Sequence, residues 1–276
     1  MNNPLVSIII PTYNRPDYLE RAVNSVLKQT HENLEIIIID DNSSYDLSHV
    51  ISKFQDSRIK IYRNSTNRGS VYSRNRGISL SKGDYINFLD DDDELLPNKL
   101  KLQLSKFEQS KIQNLGVVTC DMEYNRRDIN QVKENHLKGQ IYKKLLAQYC
   151  IYGIHSMLIK RIYCPRFDKN LTSNQEYDLA IRLAKNCEFD YIPQVLAITH
   201  ESEDQISFNY RKKKEGTIYL FKKYYNEFLK FGINFYIYNW FRFRYLLFRY
   251  FVTLKLGNVK INKIMHNFHN RFLKKL

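Results

Sequence analysis

Residues Leu34–Asp40 read LEIIIID, and this stretch decides the fold class together with the shorter apolar run Leu5–Ile10. Continuous runs rich in β-branched residues are typical of strands that are buried on both faces of a sheet. Arg58–Tyr62 and Tyr85–Leu89 have a similar character farther along the chain. The first hundred residues therefore predict four strands of one buried sheet.

Helical patterns lie between these strands. Apolar residues between Leu19 and Leu27 recur at the i, i+3, i+4, i+7 and i+8 positions of an amphipathic helix. Tyr45–Phe54 and Ser70–Ser81 are two further predicted helices. Alternating strands and helices predict an α/β fold, with a mainly parallel sheet that binds ligands at the carboxyl ends of its strands.

The second part of the chain has a weaker pattern. Leu100–Phe107 and Tyr177–Ala184 predict helices, whereas Gly116–Asp121 and Gln194–His200 predict strands. Residues 122–140 are polar and show no clear period, so no element is predicted there.

Charge is distributed unevenly along the 276 residues, which carry a formal net charge of +14. Residues 211–276 contain 16 Lys and Arg but 2 Asp and Glu, whereas the first 210 residues contain 27 of each sign. The same tail holds 18 of the 38 aromatic residues. This contrast predicts two bodies, over residues 1–208 and 209–276, and the second is expected to be helical.

The four cysteines form no CxxC pair, so neither a zinc site nor a disulfide scaffold is expected. The run Leu5–Ile10 is shorter than the apolar part of a signal peptide and has no basic leader. An uncharged apolar stretch of about 18 residues, which could span a membrane, is also missing from the sequence. These observations predict a cytoplasmic protein.

Acidic residues cluster where two predicted strands end, as Asp40 with Asp41 and as the quartet Asp90–Asp93. Four adjacent carboxylates repel one another, so the quartet is either a solvated loop or is neutralised by a cation. Mn²⁺ and Mg²⁺ prefer oxygen ligands and usually keep substrate phosphates in their coordination shell. The position at the end of a buried strand favours the metal site over the solvated loop.

Four motifs in order resemble the signature of the family-2 glycosyltransferases: Val6–Arg15 (VSIIIPTYNR), Ile39–Ser43 (IDDNS), Asn67–Gly77, and Phe88–Pro97 (FLDDDDELLP). The resemblance covers residues 4–205 and leaves out the basic tail. It implies the GT-A fold and a transfer reaction that inverts the configuration of the sugar. It also implies a nucleotide-binding half over residues 1–97 and an acceptor half over residues 98–208.

The resemblance assigns a nucleotide pocket for the donor, which is expected to be a UDP sugar. Pro11, Thr12 and Tyr13 would line this pocket through backbone and ring contacts. Asp41, with Asp40 beside it, would accept a hydrogen bond from the base of the nucleotide. These roles rest on the family likeness and not on the spacing of the residues.

The acidic quartet matches the DxD motif of the family. Asp90 and Asp92 occupy its two acidic positions, and Asp92 is expected to be the direct ligand of Mn²⁺ or Mg²⁺. Asp91 fills the variable middle position and is grouped with the donor-binding residues. The resemblance implies that Arg74 would steady the nucleotide end of the donor. Without the resemblance, Arg74 is either an arginine that reaches a phosphate or a surface side chain.

The reaction also needs a base for the acceptor hydroxyl. Family members usually place an Asp near the start of a late helix, six residues before an Arg, and Glu176 stands in that position before Arg182. Asp178 is the competing candidate, and its alternative role is a solvated helix residue. His200 would complete the metal shell or remain a surface histidine, and His155 is a structural or an acceptor-side residue.

The resemblance implies a metal-dependent transfer of sugar to a hydroxyl of a glycan or a lipid-linked glycan. The alternative is a catalytically weak or idle subunit that binds nucleotide sugars, because Glu176 replaces the usual Asp. A nucleotidyltransferase is less compatible with the sequence, since Pro11–Arg15 contains no glycine for a phosphate loop.

The basic aromatic tail has several interpretations. A peripheral contact with an anionic membrane is favoured, because basic residues are attracted to the anionic inner face of the cell membrane. A homo-oligomer interface through C-terminal helices is the second possibility. Nucleic-acid binding is not expected, since no recognition motif accompanies the charge. Simple packing of the aromatic residues on the first body is the fourth interpretation.

Overall fold

The computed structural model of the protein describes residues 3–47, 50, 52–126, 129–201 and 209–256. Within these ranges the chain forms one mixed sheet with flanking helices, which confirms the predicted α/β fold class. The expected helix Tyr45–Phe54 includes residues 48, 49 and 51, which lie outside the described residues, so that helix stays a prediction.

The sheet has the strand order β3-β2-β1-β4-β8-β6-β9-β5, and β7 pairs with β6. Its strands are β1 (Val6–Thr12), β2 (Leu34–Asp40), β3 (Ile59–Arg63), β4 (Tyr85–Phe88), β5 (Glu94–Leu95), β6 (Leu115–Arg126), β7 (Ile129–Lys133), β8 (Leu158–Lys160) and β9 (Glu188–His200). The first four strands in the order are parallel to one another, and β6 is parallel to β9. The remaining pairs are antiparallel.

Eight α-helices occur in the described residues. They are α1 (Pro16–Leu27), α2 (Ser70–Leu80), α3 (Lys99–Gln109), α4 (Tyr142–Ala147), α5 (Gln175–Asn186), α6 (Tyr210–Lys223), α7 (Tyr225–Lys230) and α8 (Ile233–Leu256). None of the described helices combines the length and the apolar character needed to cross a bilayer.

The core lies around β1 and β2, in which every residue is buried. Both faces of these strands are covered by helices, so the apolar side chains of both faces leave water and stabilise the fold. Gly77 lets α2 lie close to β1, because a Cβ atom at this position would come within 2.3 Å of Ile9 Cγ2. The tight packing fixes the carboxyl ends of the strands, where the candidate site lies.

The chain divides into two compact units. The first comprises residues 1–169 and 176–203, and the second comprises residues 170–175 and 204–276. In the second unit, α6, α7 and α8 pack around aromatic rings; the centroid of Phe221 lies 5.6 Å from that of Phe228 and 5.1 Å from that of Phe243. The predicted boundary at residue 208 and the division of the first body at residue 97 stay predictions.

Candidate active site

The carboxyl ends of β1, β2 and β4 meet at one edge of the sheet, because these strands are parallel neighbours. Thr12 is paired in register with Asp40, and Ile9 is paired with Phe88. The segments that follow these strands therefore start side by side. They bring the predicted nucleotide pocket next to Asp90–Asp93, which we call the acidic loop.

The acidic loop is mostly buried. Asp91, Asp92 and Asp93 expose 6%, 8% and 4% of their surface, and the Asp93 amide donates to the Asp90 carbonyl at 3.1 Å. The alternative of a solvated, charged loop is therefore wrong. Burying several carboxylates requires compensating positive charge or bound protons.

Arg15 supplies one of the compensating charges. Its Nη1 lies 3.1 Å from Asp92 Oδ2 and 3.4 Å from Asp91 Oδ1. Thr12 Oγ1 donates to the other oxygen of Asp91 at 2.7 Å. Burial raises the pKa of Asp91 to about 6, while the Thr12 hydroxyl and the Arg15 charge oppose this rise. Sequence reasoning missed Arg15, although its place at the end of VSIIIPTYNR was a signal.

Arg74 supplies the second compensating charge. This side chain lies in α2 and is buried, with 5% of its surface exposed. Its Nη2 donates to Asp90 Oδ1 at 2.5 Å and lies 3.9 Å from Glu176 Oε1. The interpretation of Arg74 as a surface side chain is therefore wrong. The two arginines also correct the expectation that a divalent cation alone makes the acidic loop tolerable.

Glu176 lies at the start of α5, close to Arg74 and Asp90. Burial raises the pKa of Glu176 to about 7, and the nearby Asp90 charge adds to the rise, whereas Arg74 opposes it. A carboxylate with a pKa near neutrality can both accept and release a proton at physiological pH. The residue has the properties that a general base needs.

Asp178 occupies a different environment on the same helix. Its carboxylate is fully buried; Oδ2 accepts a hydrogen bond from Arg182 Nε at 2.8 Å and lies 2.8 Å from the charged Arg182 Nη2. The expectation that Asp178 is a solvated helix residue is therefore wrong. A buried carboxylate paired with a guanidinium is typical of a structural ion pair, and this i,i+4 pair links the first turn of α5 to the next.

Asp93 and His155 form a buried pair that sequence reasoning did not find. Asp93 Oδ2 lies 3.0 Å from His155 Nδ1, and His155 Nε2 lies 3.2 Å from Thr199 Oγ1. Burial lowers the pKa of His155 to about 4 and raises the pKa of Asp93 well above its ordinary value. The sequence separation of the partners left no local signal for this contact.

His200 lies beside the acidic loop but is engaged by a neighbour. Its Nε2 lies 2.7 Å from Glu94 Oε1, and its backbone amide donates to Asp93 Oδ1 at 3.2 Å. The first contact attaches the end of β9 to the start of β5, and the second attaches it to the acidic loop. The structure thus brings His200 to the site in a position that supports the loop.

The predicted nucleotide pocket is built from the ends of β1 and β2. Pro11 and Thr12 are buried, whereas Tyr13 exposes 44% of its surface. Asp40 Oδ1 accepts from the Ser43 amide and hydroxyl at 2.9 and 2.6 Å. Asp40 Oδ2 accepts no hydrogen bond from the described residues, and its ionic partner is Arg63, whose Nη1 lies 3.5 Å away.

Asp41 orders the loop that precedes α2. Its two carboxylate oxygens accept from the amides of Arg68 and Gly69 and from Asn64 Nδ2, at distances of 2.6 to 3.1 Å. Several hydrogen bonds to one carboxylate fix its orientation. The structure therefore gives Asp41 a loop-ordering role in addition to the one expected from the resemblance.

The acidic loop has the donor chemistry of a divalent cation site shared with a substrate. Among the residues that the structure describes, no three His, Cys, Asp or Glu side chains converge as a ready-made metal site. Asp90–Asp93 and Glu176 nevertheless carry more negative charge than Arg15 and Arg74 offset. Mg²⁺ is often held by one or two carboxylates together with substrate phosphates. These residues fit a cation of that kind.

The family of the chain follows from its sequence. The profile described as "Glycosyl transferase family 2" matches residues 7–163, which include β1, β2, β4 and the acidic loop. The chain belongs to glycosyl transferase family 2. The matched residues account for more than half of the chain, and they confirm the resemblance that its four motifs carry.

Curated relatives of this family 2 chain have names that refer to glycan synthesis. The putative colanic acid biosynthesis glycosyl transferase WcaA of Escherichia coli K12 is 31% identical over 82% of this chain and 84% of its own length. The GalNAc(5)-diNAcBac-PP-undecaprenol β-1,3-glucosyltransferase of Campylobacter jejuni is 38% identical over 71% of this chain and 64% of its own length. The chain spans 31% and 64% of the lengths of two further relatives.

Solved structures share the fold of this family 2 chain. TarS residues 1–349 from S. aureus, in complex with UDP-GlcNAc, has a TM-score of 0.64 and 17% identity over 78% of this chain and 66% of that one. Mannosyltransferase PcManGT from Pyrobaculum calidifontis, in complex with GDP-Man and Mn²⁺, has a TM-score of 0.61 and 15% identity over 80% and 65%. At these identities, the likeness confirms the GT-A fold.

Proposed function

We propose that the protein is a metal-dependent, inverting glycosyltransferase that transfers a sugar from a UDP sugar to a hydroxyl of a glycan. The observation that carries the proposal is the position of Glu176, a carboxylate with a pKa of about 7, beside Arg74 and Asp90 at the acidic loop. A proton acceptor next to a phosphate-binding edge is the combination that such a displacement needs.

The donor would bind at the ends of β1 and β2. Pro11, Thr12 and the exposed Tyr13 ring would line the nucleotide pocket, and Asp41 with Asp40 would face the base. Asp40 Oδ2 has an ionic partner in Arg63 but accepts no hydrogen bond from the described residues, and a donor N–H of the base would supply one. Arg74 would steady the nucleotide from α2.

Asp92 would be the direct ligand of Mn²⁺ or Mg²⁺, with Asp90 as the second acidic position of a DxD motif. When bound, such a cation neutralises charge that develops on the departing diphosphate. Asp91, which is held by Thr12 and Arg15, would keep the loop in the shape that presents Asp92. His200 is assigned to the support of the loop, because its imidazole is engaged by Glu94.

Glu176 would take the proton of the acceptor hydroxyl. The acceptor oxygen would then form a bond to the anomeric carbon, and the bond from that carbon to the diphosphate would break with its electron pair on the leaving oxygen. Asp178 is not assigned as the base, since Arg182 holds its buried carboxylate. Attack from the face opposite the leaving group inverts the configuration.

An aromatic surface next to Glu176 suits a sugar acceptor. The Tyr149 ring exposes 46% of its surface and meets the Tyr177 ring edge-on at 5.1 Å. The apolar face of a sugar ring packs well against such side chains. Relatives named for undecaprenol-linked substrates support a lipid-linked acceptor. The transfer would take place at the cytoplasmic face of the membrane, in cell-surface polysaccharide synthesis.

UDP release tests the proposal. Wild-type protein should release UDP from one of a panel of UDP sugars in the presence of Mn²⁺, with water or added glycan as acceptor. Asp92→Ala should abolish this release while keeping the native circular dichroism spectrum. Full metal-dependent turnover by Asp92→Ala would refute the assignment of the ligand.

The second candidate function is an idle subunit that binds nucleotide sugars, and it is favoured by Glu176 in place of the usual Asp. A ligand that binds only the folded state raises the melting temperature. A thermal shift with a UDP sugar and Mn²⁺, without any UDP release, would support the idle subunit over the enzyme.

A further inference from the structure

Helix α8 has two apolar faces, and the inner face is occupied within its own unit. Phe243 and Tyr250 are buried on this face, together with Asn239 and Arg242. The Phe243 ring centroid lies 6.0 Å from that of Phe228. Packing of the inner face on α6 and α7 therefore accounts for only part of the apolar surface of the helix.

The outer face of α8 carries six large apolar residues that are exposed by 43% to 62%. We call them the outer stripe: Ile233, Ile237, Phe241, Phe248, Phe251 and Leu254. At 100° per residue they fall within about 140° of the helix circumference, and at 1.5 Å per residue they extend over about 32 Å. An exposed apolar surface of this length is typical of an interaction site.

The three helices of the unit that carries the outer stripe are strongly basic. Residues 210–256 contain 11 Lys and Arg and 2 Asp and Glu, a formal net charge of +9. Lys212, Lys214, Lys222 and Lys230 are exposed on α6 and α7. Arg244 is exposed on α8 and, at 100° per residue, falls within the sector of the outer stripe itself. The Arg244 guanidinium lies 4.9 Å from the centroid of the Trp240 ring.

The charge selects among possible occupants of the stripe. A second copy of the chain would bring another net charge of +9 to the interface, and like charges oppose association. Residues 257–276 are themselves basic and contain no Asp or Glu, so the same repulsion applies to them. Nucleic acid would match the positive charge of this unit, but it offers no apolar surface for the six aliphatic and phenyl side chains of the outer stripe. An anionic lipid surface matches both features.

We infer that α8 lies in the interface of an anionic bilayer, with the outer stripe inserted among the lipids and the lysines of α6 and α7 near the headgroups. Amphipathic helices bind membranes in this way when an apolar face is combined with basic residues. The contact needs no spanning helix. It gives the second unit a role that is independent of the transfer reaction, because it requires neither donor nor metal.

Vesicle sedimentation of the full chain tests this inference. The protein should sediment with vesicles of 70% phosphatidylcholine and 30% phosphatidylglycerol, and binding to pure phosphatidylcholine should be at least tenfold weaker. The variant Phe241→Ser/Phe248→Ser/Phe251→Ser should lose at least tenfold in affinity, because each exposed ring contributes buried apolar area. Neutralising Lys222 and Lys230 to Gln should cost about fivefold for each charge.

Two exposed apolar residues of the first unit provide a matched control. Ile162 and Val132 expose 85% and 52% of their surface, and Ile162→Ser/Val132→Ser should bind vesicles as the wild type does. Circular dichroism and melting temperature check that every variant is folded. Vesicle binding by the triple variant equal to that of the wild type would overturn the inference. A wild type that binds no vesicles but forms a dimer, which the triple variant does not form, would also overturn it.

Discussion

Arg74 Nη2 lies 3.9 Å from Glu176 Oε1, and the same nitrogen donates to Asp90 Oδ1 at 2.5 Å. One buried guanidinium thus connects the proposed base on α5 with the acidic loop after β4. The positive charge limits the rise in the pKa of Glu176 that burial and Asp90 cause. Its loss would therefore affect both the base and the loop.

The pH dependence of kcat/KM should report Glu176 in the free protein. The active form of a base is deprotonated, so kcat/KM for UDP release should fall about tenfold per pH unit below 7 and level off above it. A profile that bends near 4.5, the ordinary pKa of a Glu, would argue against Glu176 as the base.

Substitution of Glu176 should affect the chemical step. Glu176→Gln should lower kcat by about 10² to 10⁴-fold, since general base catalysis contributes that much, and should spare the thermal shift caused by UDP. Glu176→Asp keeps the carboxylate but moves it back by about one carbon–carbon bond. A misplacement of about 1 Å can lower the rate by about 10²-fold.

Asp178→Asn is the comparison for Glu176. This variant should lower the free energy of unfolding by roughly 1.5–3 kcal/mol, because it replaces the charged carboxylate that accepts the hydrogen bond from Arg182 Nε. A stable Asp178→Asn protein with the kinetic defect expected of Glu176→Gln would transfer the role of base to Asp178.

Arg15→Gln should strengthen Mn²⁺ binding in the absence of a donor. Arg15 offsets the charge of Asp91 and Asp92, and removing one partly exposed charge of this kind changes the free energy of binding by about 1 kcal/mol, or about fivefold in affinity. Electron paramagnetic resonance of free Mn²⁺ measures this change. Arg58→Gln is the control, because it removes an arginine that forms an ion pair with Asp56 and not with the acidic loop. Weaker Mn²⁺ binding by Arg15→Gln would show that Arg15 does not oppose the cation.

The sequence predicts the parallel strands of the first hundred residues well. The predicted strand Leu34–Asp40 has the observed bounds, and Tyr85–Leu89 differs from β4 by one residue. Buried strands of a parallel sheet have strong local patterns, because both of their faces must be apolar. The acidic loop follows β4, as the predicted strand Tyr85–Leu89 implies, and Glu176 lies near the start of a helix, as predicted.

The second half of the sheet could not be predicted in the same detail. β7 (Ile129–Lys133) lies in the polar segment where no element was predicted, since it pairs only with β6 and needs no apolar face. The Asp93–His155 contact and the ion pairs of Arg15 join segments that are distant in sequence. Such contacts depend on how β4, β8 and β9 are arranged, which no local pattern contains.

Lys99 should make stability depend on pH. This lysine is fully buried, and burial lowers its pKa from 10.5 to about 8. Between pH 8 and 10.5 the unfolded chain holds a proton that the folded protein has released, so the free energy of unfolding should rise with pH across this window. Urea unfolding at pH 7.5 and 10 should show a smaller rise for Lys99→Met than for the wild type. Equal rises in both proteins would mean that Lys99 titrates normally in the folded state.

Anomalous diffraction from a crystal soaked with Mn²⁺ and UDP tests the central claim most directly. The account predicts a manganese peak within coordination distance of the Asp92 carboxylate and of the UDP diphosphate, with the Asp92–Arg15 contact broken or lengthened. UDP bound at the ends of β1 and β2 without manganese, while Asp92 still holds Arg15 at 3.1 Å, would contradict it.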